Sequence, residues 1–577
     1  MDTVLLSVLQ GRLEQIADEM DATLFKAAFN PIIAEAHDAS HGFYDARTGD
    51  TLVQGKLGLP IFVGAMAFAV RAVIAYTAGH GTPQEGDVFI FNDPYDGGTH
   101  LNDFKLVQPV FSGGEIFCYM ASVGHWHDVG GNVPGNYNPA ATEIFQEGVV
   151  IPPVKLVRAG TIQNDILAIL AANTRLPLSQ YGDLNGQIAA LKLGDERLHD
   201  LIAQYGAETI LAVFAELRGR AARQMRQHIA ALPDGTYRAV DHLDNDGITD
   251  RALDIAVAIN IDGDAMTIDF AGTSGACAGP VNISQATAQA SIYVALKHVF
   301  RDVAANAGVL DPVTIRIPDG SLMAAEAPRP VGGYTETILR VIDVMFVALS
   351  KADPDALNAC AYGTINALSV AGHRDDGSRW VMFSFFGGGH GGHPEGDGLS
   401  HGNAPISMAT IPPVEILEAR YPVRFTQWAL RNDSGGPGEF RGGLGGLYEM
   451  EFLNDATGFL FGERGKYPPP AIVGGRPGAL NVFSYDEGTE IGGFSGRPPM
   501  VSKITGITLR KHQRVRLESP GGGGYGDPMK RAPEAVLRDV QNGFVSVEGA
   551  RRDYGVVIFD GDIDEAATRT LRETAPT

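Results

Sequence analysis

The sequence predicts a mixed α/β protein with several lobes and a β-rich C-terminal region. Apolar residues recur at helical spacing in some stretches and alternate with polar residues in others. At 577 residues the chain is too long for one small core. Because glycine-rich turns become frequent late in the chain, we divide it into an N-terminal α/β region (1–235), a mixed α/β region (236–377) and a glycine-rich β region with a C-terminal helix (378–577).

The N-terminal region begins with a long amphipathic helix followed by a hairpin. Apolar side chains recur at helical spacing through residues 3–29, with acidic residues on the other face. Residues 36–53 predict a hairpin, with Gly49 placed in its turn for a positive backbone angle. Residues 62–79 predict a second helix. The longest apolar stretch of the chain, residues 59–77, overlaps it and is interrupted by Pro60, Gly64 and Arg71. We therefore expect a buried helix and not a membrane span.

Three strand-like runs follow, at residues 87–91, 106–111 and 116–123. The next stretch, residues 163–232, is predicted to be mainly helical. Its part from 207 to 231 carries a row of arginines at helical spacing, which we interpret as a solvated or subunit-facing surface and not as an anion site.

The later elements alternate between sheet and helix. We predict a β meander over residues 236–273, helices over 286–306, 336–349 and 353–368, a β-rich region from 378, a helix over 527–542 and a helix-like turn over 546–554.

The composition argues against several classes of partner. A formal net charge of -23 does not provide the basic surface that nucleic acid and anionic membranes require. Cys118, Cys277 and Cys360 are widely spaced and odd in number, which indicates neither a disulfide framework nor a thiolate metal site. The N-terminus lacks the basic region of a signal peptide. We expect a cytoplasmic protein that acts on small polar molecules or binds protein partners.

Two short segments, residues 91–104 and 124–131, place imidazoles and carboxylates beside glycines at the ends of predicted strands. The side chains concerned are His100, Asp103, His125, His127 and Asp128. Imidazole and carboxylate together suit zinc, manganese or iron, and open metal sites of this kind activate water. The alternative is a pair of polar turns whose histidines only cap strands.

The first hairpin offers one more candidate ligand. Asp38 lies between His37 and His41, so it could contribute to a metal site, or it could be a hairpin cap. On an extended strand the side chains of residues 125 and 127 share a face. We therefore expect His125 to be a ligand, with His127 either supporting it or facing the substrate.

Other catalytic motifs are absent from the sequence. Residues 386–393 are glycine-rich, but they lack the lysine of a P-loop and the spacing of a dinucleotide loop. We interpret them as flexible backbone near a substrate pocket or as a structural turn. There is no Gly-x-Ser-x-Gly nucleophile elbow, and the residues next to Cys360 do not form a motif typical of a nucleophilic cysteine. Serine or cysteine hydrolase chemistry is therefore unsupported.

Six longer segments together resemble the hydantoinase B/oxoprolinase family, and the resemblance covers essentially the whole chain. The segments are residues 92–103, 125–131, 141–156, 413–422, 431–445 and 519–527. The resemblance implies a multi-lobed hydantoinase B-type fold with a metal site on loops at strand ends.

The resemblance also implies a reaction driven by ATP. The family includes the B half of N-methylhydantoinases, the C-terminal half of 5-oxoprolinases, caprolactamase, and a subunit of the acetone and acetophenone carboxylases. In these enzymes an A-type partner with an actin-like ATPase fold phosphorylates the carbonyl oxygen of a lactam, imide or ketone. The B-type subunit receives the activated compound at a metal centre, where hydrolytic members add water and carboxylases form a carbon–carbon bond.

Residue by residue, the family's metal ligands fall on Asp38, His100, Asp103 and His125. The resemblance implies one divalent transition metal, zinc or manganese or else iron. Two departures bear on the substrate. Trp126 stands where many hydrolytic relatives have a second histidine, and His37 precedes the hairpin aspartate.

We therefore expect a metal-dependent subunit of an ATP-dependent cyclic-amide hydrolase that opens a hydantoin, oxoproline or lactam ring. His127, Asp128 or Glu143 could position the water or take its proton, or could support a ligand imidazole instead. The A-type partner would use the ATP, in a hetero-tetramer or a larger complex. The alternatives are a subunit of a ketone carboxylase and a non-catalytic scaffold for the ATPase.

Overall fold

The computed structural model describes residues 2–403, 405–407 and 409–574, and it confirms the predicted mixed α/β class. The chain forms two compact units, and each combines separate stretches of sequence. The first contains the described residues of Met1–Thr236, Ile259–Ile338 and Pro405–Pro412, and the second those of Tyr237–Ala258, Leu339–Ala404 and Pro413–Thr577.

Twelve α-helices lie within the described residues. They are α1 (Thr3–Ala27), α2 (Pro31–Ala34), α3 (Pro60–His80), α4 (Asn164–Ala172), α5 (Pro177–Tyr205), α6 (Ala207–Ala231), α7 (Gln285–Val299), α8 (Tyr334–Leu349), α9 (Val414–Arg420), α10 (Pro533–Gln541), α11 (Val547–Tyr554) and α12 (Glu565–Thr574). The short helices α2 and α9 and the last helix, α12, lie outside the predicted ones.

The first unit contains a seven-stranded antiparallel sheet. Its strands are β1 (Ala39–Asp45), β2 (Thr51–Gln54), β3 (Val88–Phe91), β4 (Asp103–Ser112), β5 (Glu115–His125), β6 (Val154–Arg158) and β7 (Thr161–Ile162). Their order is β2-β1-β5-β4-β3-β6-β7. The predicted hairpin and the three predicted strands are confirmed.

α1 covers this sheet with the apolar face that the sequence predicts, and α5 packs beside it. Leu9, Leu13 and Met20 are completely buried, and each such side chain contributes about 1.5–3 kcal/mol relative to an exposed one. The two helices approach closely because α5 presents glycine to α1: a Cβ at Gly194 would lie 2.5 Å from the sulfur of Met20.

By length and composition, α3 is the single described helix that could cross a membrane. Half of its most apolar stretch is buried in the fold. The helix packs on α7 and contacts β1, β4 and β5. A Cβ at Gly64 would lie 2.8 Å from the Cα of Ala290, so glycine allows this close packing.

The remaining strands form smaller sheets. The predicted meander corresponds to β8 (Gly235–Leu243), β9 (Leu253–Asp262) and β10 (Ala265–Asp269), with β11 (Val313–Arg316) parallel to β10. The second unit adds β12 (Ala367–His373), β13 (Arg379–Ser384), β14 (Val423–Leu430), β15 (Gly446–Phe452), β16 (Ala456–Phe461), β17 (Val482–Tyr485), β18 (Lys503–Leu509) and β19 (Arg514–Glu518), and a hairpin of β20 (Ile558–Phe559) and β21 (Asp562–Ile563).

Two four-stranded sheets of the second unit share one apolar core. Their orders are β13-β12-β16-β18 and β14-β15-β19-β17. The core combines Trp380 and Leu460 from the first sheet with Met450, Phe452 and Val515 from the second. The predicted β-rich C-terminal region is therefore confirmed.

Glycines of the second unit pack backbone against backbone. A Cβ at Gly389 would lie 1.8 Å from the carbonyl oxygen of Gly443, and one at Gly522 would lie 2.0 Å from that of His390. The N–H groups of Gly389, Gly443 and Gly522 donate to the carbonyls of Pro520, His390 and Gly443. These positions exclude any side chain, which supports a structural role for the glycine-rich segments.

Residues 353–368 form no helix, so that prediction is wrong. The N–H groups of Ala359 and Tyr362 donate to the carbonyls of Gly392 and Gly389, which lie in the glycine-rich backbone. The apolar side chains that suggest a helix are buried in this segment, but its backbone is not helical. The backbone N–H groups find their hydrogen-bond partners in a later segment instead.

Candidate metal centre

Three neighbouring strands of the first unit place their ends together. β5 lies between β1 and β4, and Asp103 at the start of β4 pairs with His125 at the end of β5. Ala39, the first residue of β1, pairs with Gly124, and the carbonyl oxygen of Asp38 accepts a hydrogen bond from the His125 N–H at 3.1 Å. The strand register therefore makes Asp38, His125 and Asp103 neighbours.

His100, in the turn before β4, completes a compact buried cluster. Its Nε2 lies 3.1 Å from Asp103 Oδ1 and 3.2 Å from His125 Nδ1, and that Nδ1 lies 3.2 Å from the same oxygen. Burial alone would raise the pKa of Asp103, but the charges and hydrogen bonds of His100 and His125 hold it well below its usual range. Asp103 is therefore an ionised carboxylate facing two imidazole nitrogens.

The cluster fits a transition metal ion. The donor atoms of His100, Asp103 and His125 all lie within 4.8 Å of one another, and all three residues are buried. Ligand atoms about 2.1 Å from one ion are separated by about 3.0–3.4 Å, depending on the coordination geometry. Two imidazoles and a carboxylate at such spacings suit zinc, manganese or iron.

Neighbouring groups hold these side chains in place. Thr99 Oγ1 donates a hydrogen bond to Asp103 Oδ2, and the hydroxyl of Tyr334 lies 3.4 Å from the same atom. Asn30 Nδ2 donates to the carbonyl oxygen of His125 at 2.8 Å. Both oxygens of Asp103 thus have partners, so the cluster is oriented by the protein itself.

Asp38 lies at the border of this cluster. Part of the residue reaches the surface, but protein surrounds its carboxyl group, and this burial raises its pKa to about 7. The neighbouring His125 lowers that pKa and the negative charge of Asp103 raises it. His37, just before it, has a φ of 60° and stacks on Phe25 with ring centroids 4.3 Å apart. This left-handed residue turns the chain between α2 and β1, where Asp38 lies.

Two tyrosines that the sequence analysis missed line the cluster. The ring of Tyr137 lies 5.7 Å from that of His100 and 6.3 Å from that of His125, and the ring of Tyr334 lies 4.8 Å from that of His100. Burial, together with the charge of Asp103, raises the pKa of both phenols well above the usual value. They are neutral hydrogen-bond donors at any physiological pH.

The predicted catalytic residues occupy different environments. His127 is buried and Glu143 is exposed. The carboxylate of Asp128 accepts hydrogen bonds from the N–H groups of Gly130, Gly135 and Arg175 and from the Arg175 guanidinium, so it organises the loop after β5. Because β5 ends at His125, the strand alternation that we used to place residue 127 does not apply.

Glu147 is a second buried carboxylate near this loop that the sequence analysis missed. It accepts hydrogen bonds from the N–H groups of Val331 and Gly332 at 3.0 and 2.7 Å. Burial raises its pKa to about 8, although the two N–H groups lower it. Gly332 lies two residues before Tyr334, so Glu147 holds the chain that carries this tyrosine.

A cavity of about 500 Å³ in the first unit adjoins the loop that carries His100. Tyr95, Asp96 and Gly97 of that loop line it, together with residues of α3 and α7. None of the three clustered donors lines this cavity, so the cavity and the cluster are separate features.

Comparison with known proteins identifies relatives along the whole chain. The family model for hydantoinase B/oxoprolinase matches residues 2–528. The chain is 34% identical to caprolactamase subunit beta of Pseudomonas jessenii, over 99% of both proteins. It is 30% identical to 5-oxoprolinase 1 of Arabidopsis thaliana, over 91% of this chain and 42% of the plant protein.

Two solved structures share the fold. The ATP-dependent caprolactamase from Pseudomonas jessenii matches with a TM-score of 0.90 and 31% identity, over 100% of both chains. A nucleotide-free structure of acetone carboxylase matches with a TM-score of 0.91 and 23% identity, over 99% of this chain and 82% of that one. At this identity the second match shows the fold alone. Together, these comparisons confirm the resemblance found in the sequence.

Proposed function

The chain belongs to the hydantoinase B/oxoprolinase family, and we propose on this basis that it is the metal-dependent subunit of an ATP-dependent cyclic-amide hydrolase. Its substrate would be a hydantoin, an oxoproline or another lactam whose carbonyl oxygen an A-type ATPase partner has phosphorylated. The names of its relatives, caprolactamase subunit beta and 5-oxoprolinase 1, support a cyclic-amide hydrolase.

The observation that carries this proposal is the buried cluster of His100, Asp103 and His125. Asp38 lies beside it in strand register, so it would be the fourth ligand. A divalent zinc, manganese or iron ion held there would lower the pKa of water toward neutrality and withdraw electron density from an oxygen of the activated substrate.

The chain's own residues would orient and stabilise the reacting groups. Tyr137 and Tyr334 carry neutral hydroxyls against the cluster, and they would donate hydrogen bonds to negatively charged oxygens of the activated substrate. His127 would position the attacking water or accept its proton. The loop contacts of Asp128 and the exposure of Glu143 favour His127 among the three predicted residues.

We assign ATP use to the partner subunit. The sequence carries no phosphate-binding lysine loop, and the glycine-rich segments of the second unit are packed backbone. The match to the plant 5-oxoprolinase covers only 42% of that protein, which leaves most of its length for other parts.

We also propose a cytoplasmic location. The three cysteines are free and buried, so the fold does not need an oxidising compartment. The net charge of -23 does not favour nucleic acid or anionic membranes as partners.

A ketone carboxylase subunit is the second candidate function. The same donor cluster would serve carbon–carbon bond formation, and the fold likeness to acetone carboxylase is compatible with it. The hydrolase proposal takes precedence because the caprolactamase relative is the more similar in sequence.

The metal proposal is tested by elemental analysis of purified variants. We expect one transition metal ion per wild-type chain and little metal in a His100→Ala, His125→Ala double variant. The control is His80→Ala, which removes an exposed imidazole at the end of α3. Full metal occupancy in the double variant would contradict the proposed ligand set.

The reaction is tested with the chain co-expressed with an A-type partner. We expect ATP-dependent ring opening of at least one compound among caprolactam, 5-oxoproline and hydantoins. Chromatography of the products measures this reaction. Parallel assays supply acetone or acetophenone with bicarbonate. Carboxylated product without any ring opening would replace the hydrolase proposal with the carboxylase one.

A further inference from the structure

Lys105 is a buried lysine without a hydrogen-bond partner. It lies on β4 two residues after Asp103, so the two side chains leave the strand on the same face. The residue is 1% exposed, and its Nζ has no hydrogen-bond partner among the described residues. A lysine thus occupies a buried position directly beside the candidate ligands.

Two other lysines of this chain have a carboxylate partner within the protein. Lys155, on β6 of the same sheet, places its Nζ 2.6 Å from Asp87 Oδ2. Lys503 is almost completely buried, and it bonds to Glu463 and to the carbonyl oxygen of Gly462. Both ammonium groups are paired, as the high cost of burying an isolated charge requires.

The carboxylates whose charges act on Lys105 are already engaged with other groups. They belong to Asp103 and Asp93. Asp103 faces His100 and His125, and Asp93 accepts a hydrogen bond from the N–H of Tyr95. Lys105 therefore has opposite charge in its surroundings but no direct bond, which leaves its three donor positions available.

We propose that the ammonium group of Lys105 binds an anionic oxygen of the molecule that occupies the metal centre. The group would be the phosphoryl group of the activated substrate or a carboxylate of that substrate. This inference deepens the proposed function and rests on it, because it assumes that the cluster receives an anionic ligand. Buried polar groups that lack partners often mark sites where a ligand completes the bonding.

The test measures anion binding to the purified, metal-containing chain by calorimetry. Inorganic phosphate and acetate are the two probes. We expect Lys105→Met to bind at least one probe about tenfold more weakly than wild type, because it lacks a charge-assisted hydrogen bond. Lys105→Arg should retain most of the affinity. The matched control is Lys155→Met, which removes a lysine from the same sheet and should bind both probes as the wild type does.

Equal affinities of Lys105→Met and wild type for both probes would overturn the inference. If phosphate alone depends on Lys105, the phosphoryl group is the ligand, and if acetate alone does, it is the substrate carboxylate. Metal content is measured in each variant, so that a loss of metal is not read as a loss of the lysine contact. Should Lys105→Met fail to fold, Lys105→Gln provides the same comparison.

Thermal stability gives an independent readout. A structural ion pair would make Lys105→Met less stable than wild type. An ammonium kept for a ligand should instead leave the variant at least as stable, since methionine fills similar space without a buried charge. A clear fall in the melting temperature of Lys105→Met, together with unchanged anion binding, would assign the lysine a structural role.

The outcome is separable from that of the proposed function, because phosphate binding needs neither ATP nor the partner. Lysine-dependent binding without lactam hydrolysis would sustain this inference and remove the hydrolase proposal. Lactam hydrolysis with lysine-independent anion binding would do the reverse.

Discussion

Asp103 is the central residue of the candidate site, because its two carboxylate oxygens contact different groups. Oδ1 faces His100 and His125, and Oδ2 accepts the hydrogen bond of Thr99. Removing the Thr99 hydroxyl would keep every proposed ligand but release the orientation of one of them. The contribution of such supporting contacts can therefore be measured separately from that of the ligands.

We predict that Thr99→Val keeps its metal site but binds the metal about tenfold or more weakly, whereas Asp103→Asn loses most of its metal. Metal retained after dialysis against graded chelator concentrations measures both effects. Thr77→Val is the matched control, since that hydroxyl bonds to the carbonyl of Ile74 within α3. Identical chelator resistance of Thr99→Val and wild type would show that the hydroxyl does not support the site.

Asp183 on α5 is a buried carboxylate that affects stability rather than chemistry. Its Oδ1 accepts the N–H groups of Phe29 and Asn30 at 2.8 and 3.1 Å, and its Oδ2 has no hydrogen-bond partner among the described residues. Burial raises its pKa to about 7, although the two N–H groups lower it. In the unfolded chain the pKa is about 4. The folded state therefore keeps a proton that the unfolded state loses, and its stability falls as pH rises from about 4 to 7.

We predict that Asp183→Asn flattens this pH dependence, since the amide oxygen keeps both bonds without a charge. Between pH 5 and 7 the free energy of unfolding of the variant should fall less steeply with pH than that of the wild type. The two slopes should differ by up to roughly 1.4 kcal/mol per pH unit. The variant should be the more stable protein at pH 8, as measured by thermal melting. Asp165→Asn, at the exposed start of α4, should keep the wild-type profile. Parallel profiles for Asp183→Asn and wild type would contradict the assignment.

The sequence identified the clustered donors because they stand in two short motifs. It could not identify Tyr334, which contacts Asp103 from 231 positions further along the chain. Lys105 and Glu147 were also missed. Lys105 lies just after the first motif and Glu147 lies within the segment 141–156, but the environment of each side chain depends on the fold. Residue types and spacing identify candidate donors, whereas long-range packing decides what surrounds them.

Local pattern predicted individual elements well and their assembly poorly. The strand-like runs of β4 and β5 and the helical spacing of α1 are properties of short stretches, so they appear in the sequence. The pairing of β1 with β5 does not, although it alone places Asp38 beside His125. The segment 353–368 shows the converse, because its bonds to a later glycine-rich backbone override its helical pattern.

The close packing of glycines in the second unit predicts the effect of single glycine substitutions. Gly389→Ala should destabilise the protein by several kcal/mol or prevent folding, because its Cβ would lie 1.8 Å from the carbonyl oxygen of Gly443. Gly11→Ala is the contrast, since nothing lies within 4 Å of a Cβ there and the position is within α1. It should stabilise the helix by about 0.5–1 kcal/mol. Equal melting temperatures for the two variants would refute this account of the glycines.

For the whole molecule, neither the interleaving of the two units nor the charge pairing could be predicted from the sequence. Both units combine stretches that lie far apart in the sequence. The arginine row of α6, which we interpreted as solvated or subunit-facing, is paired within the first unit: Arg218 bonds to Asp50 and Asp311, and Arg226 to Asp264. Such half-exposed pairs contribute little stability, so the row can face solvent or a partner.

The proposed division of labour between subunits predicts that the isolated chain does not hydrolyse ATP. The sequence provides no lysine loop for the phosphates of a nucleotide. Phosphate release from ATP should therefore equal the background when the purified chain is assayed alone, and should rise when an A-type partner is added. The His100→Ala, His125→Ala variant should support the same partner-dependent phosphorylation. Robust ATP hydrolysis by the homogeneous chain alone would overturn the assignment of ATP use to the partner.

A phosphorylated lactam reacts readily with water, so it should pass between the two active sites without release. We therefore predict a stable complex with at least two copies of each chain, since closed symmetry is the usual outcome for such assemblies. Its interface should bury well over about 2,000 Å². Light scattering of the co-expressed and co-purified pair measures the mass directly, with this chain alone as the control. Separate elution of the two chains at micromolar concentration, with activity still requiring both, would mean that the intermediate diffuses through solution, and a permanent hetero-tetramer would no longer be needed to explain the reaction.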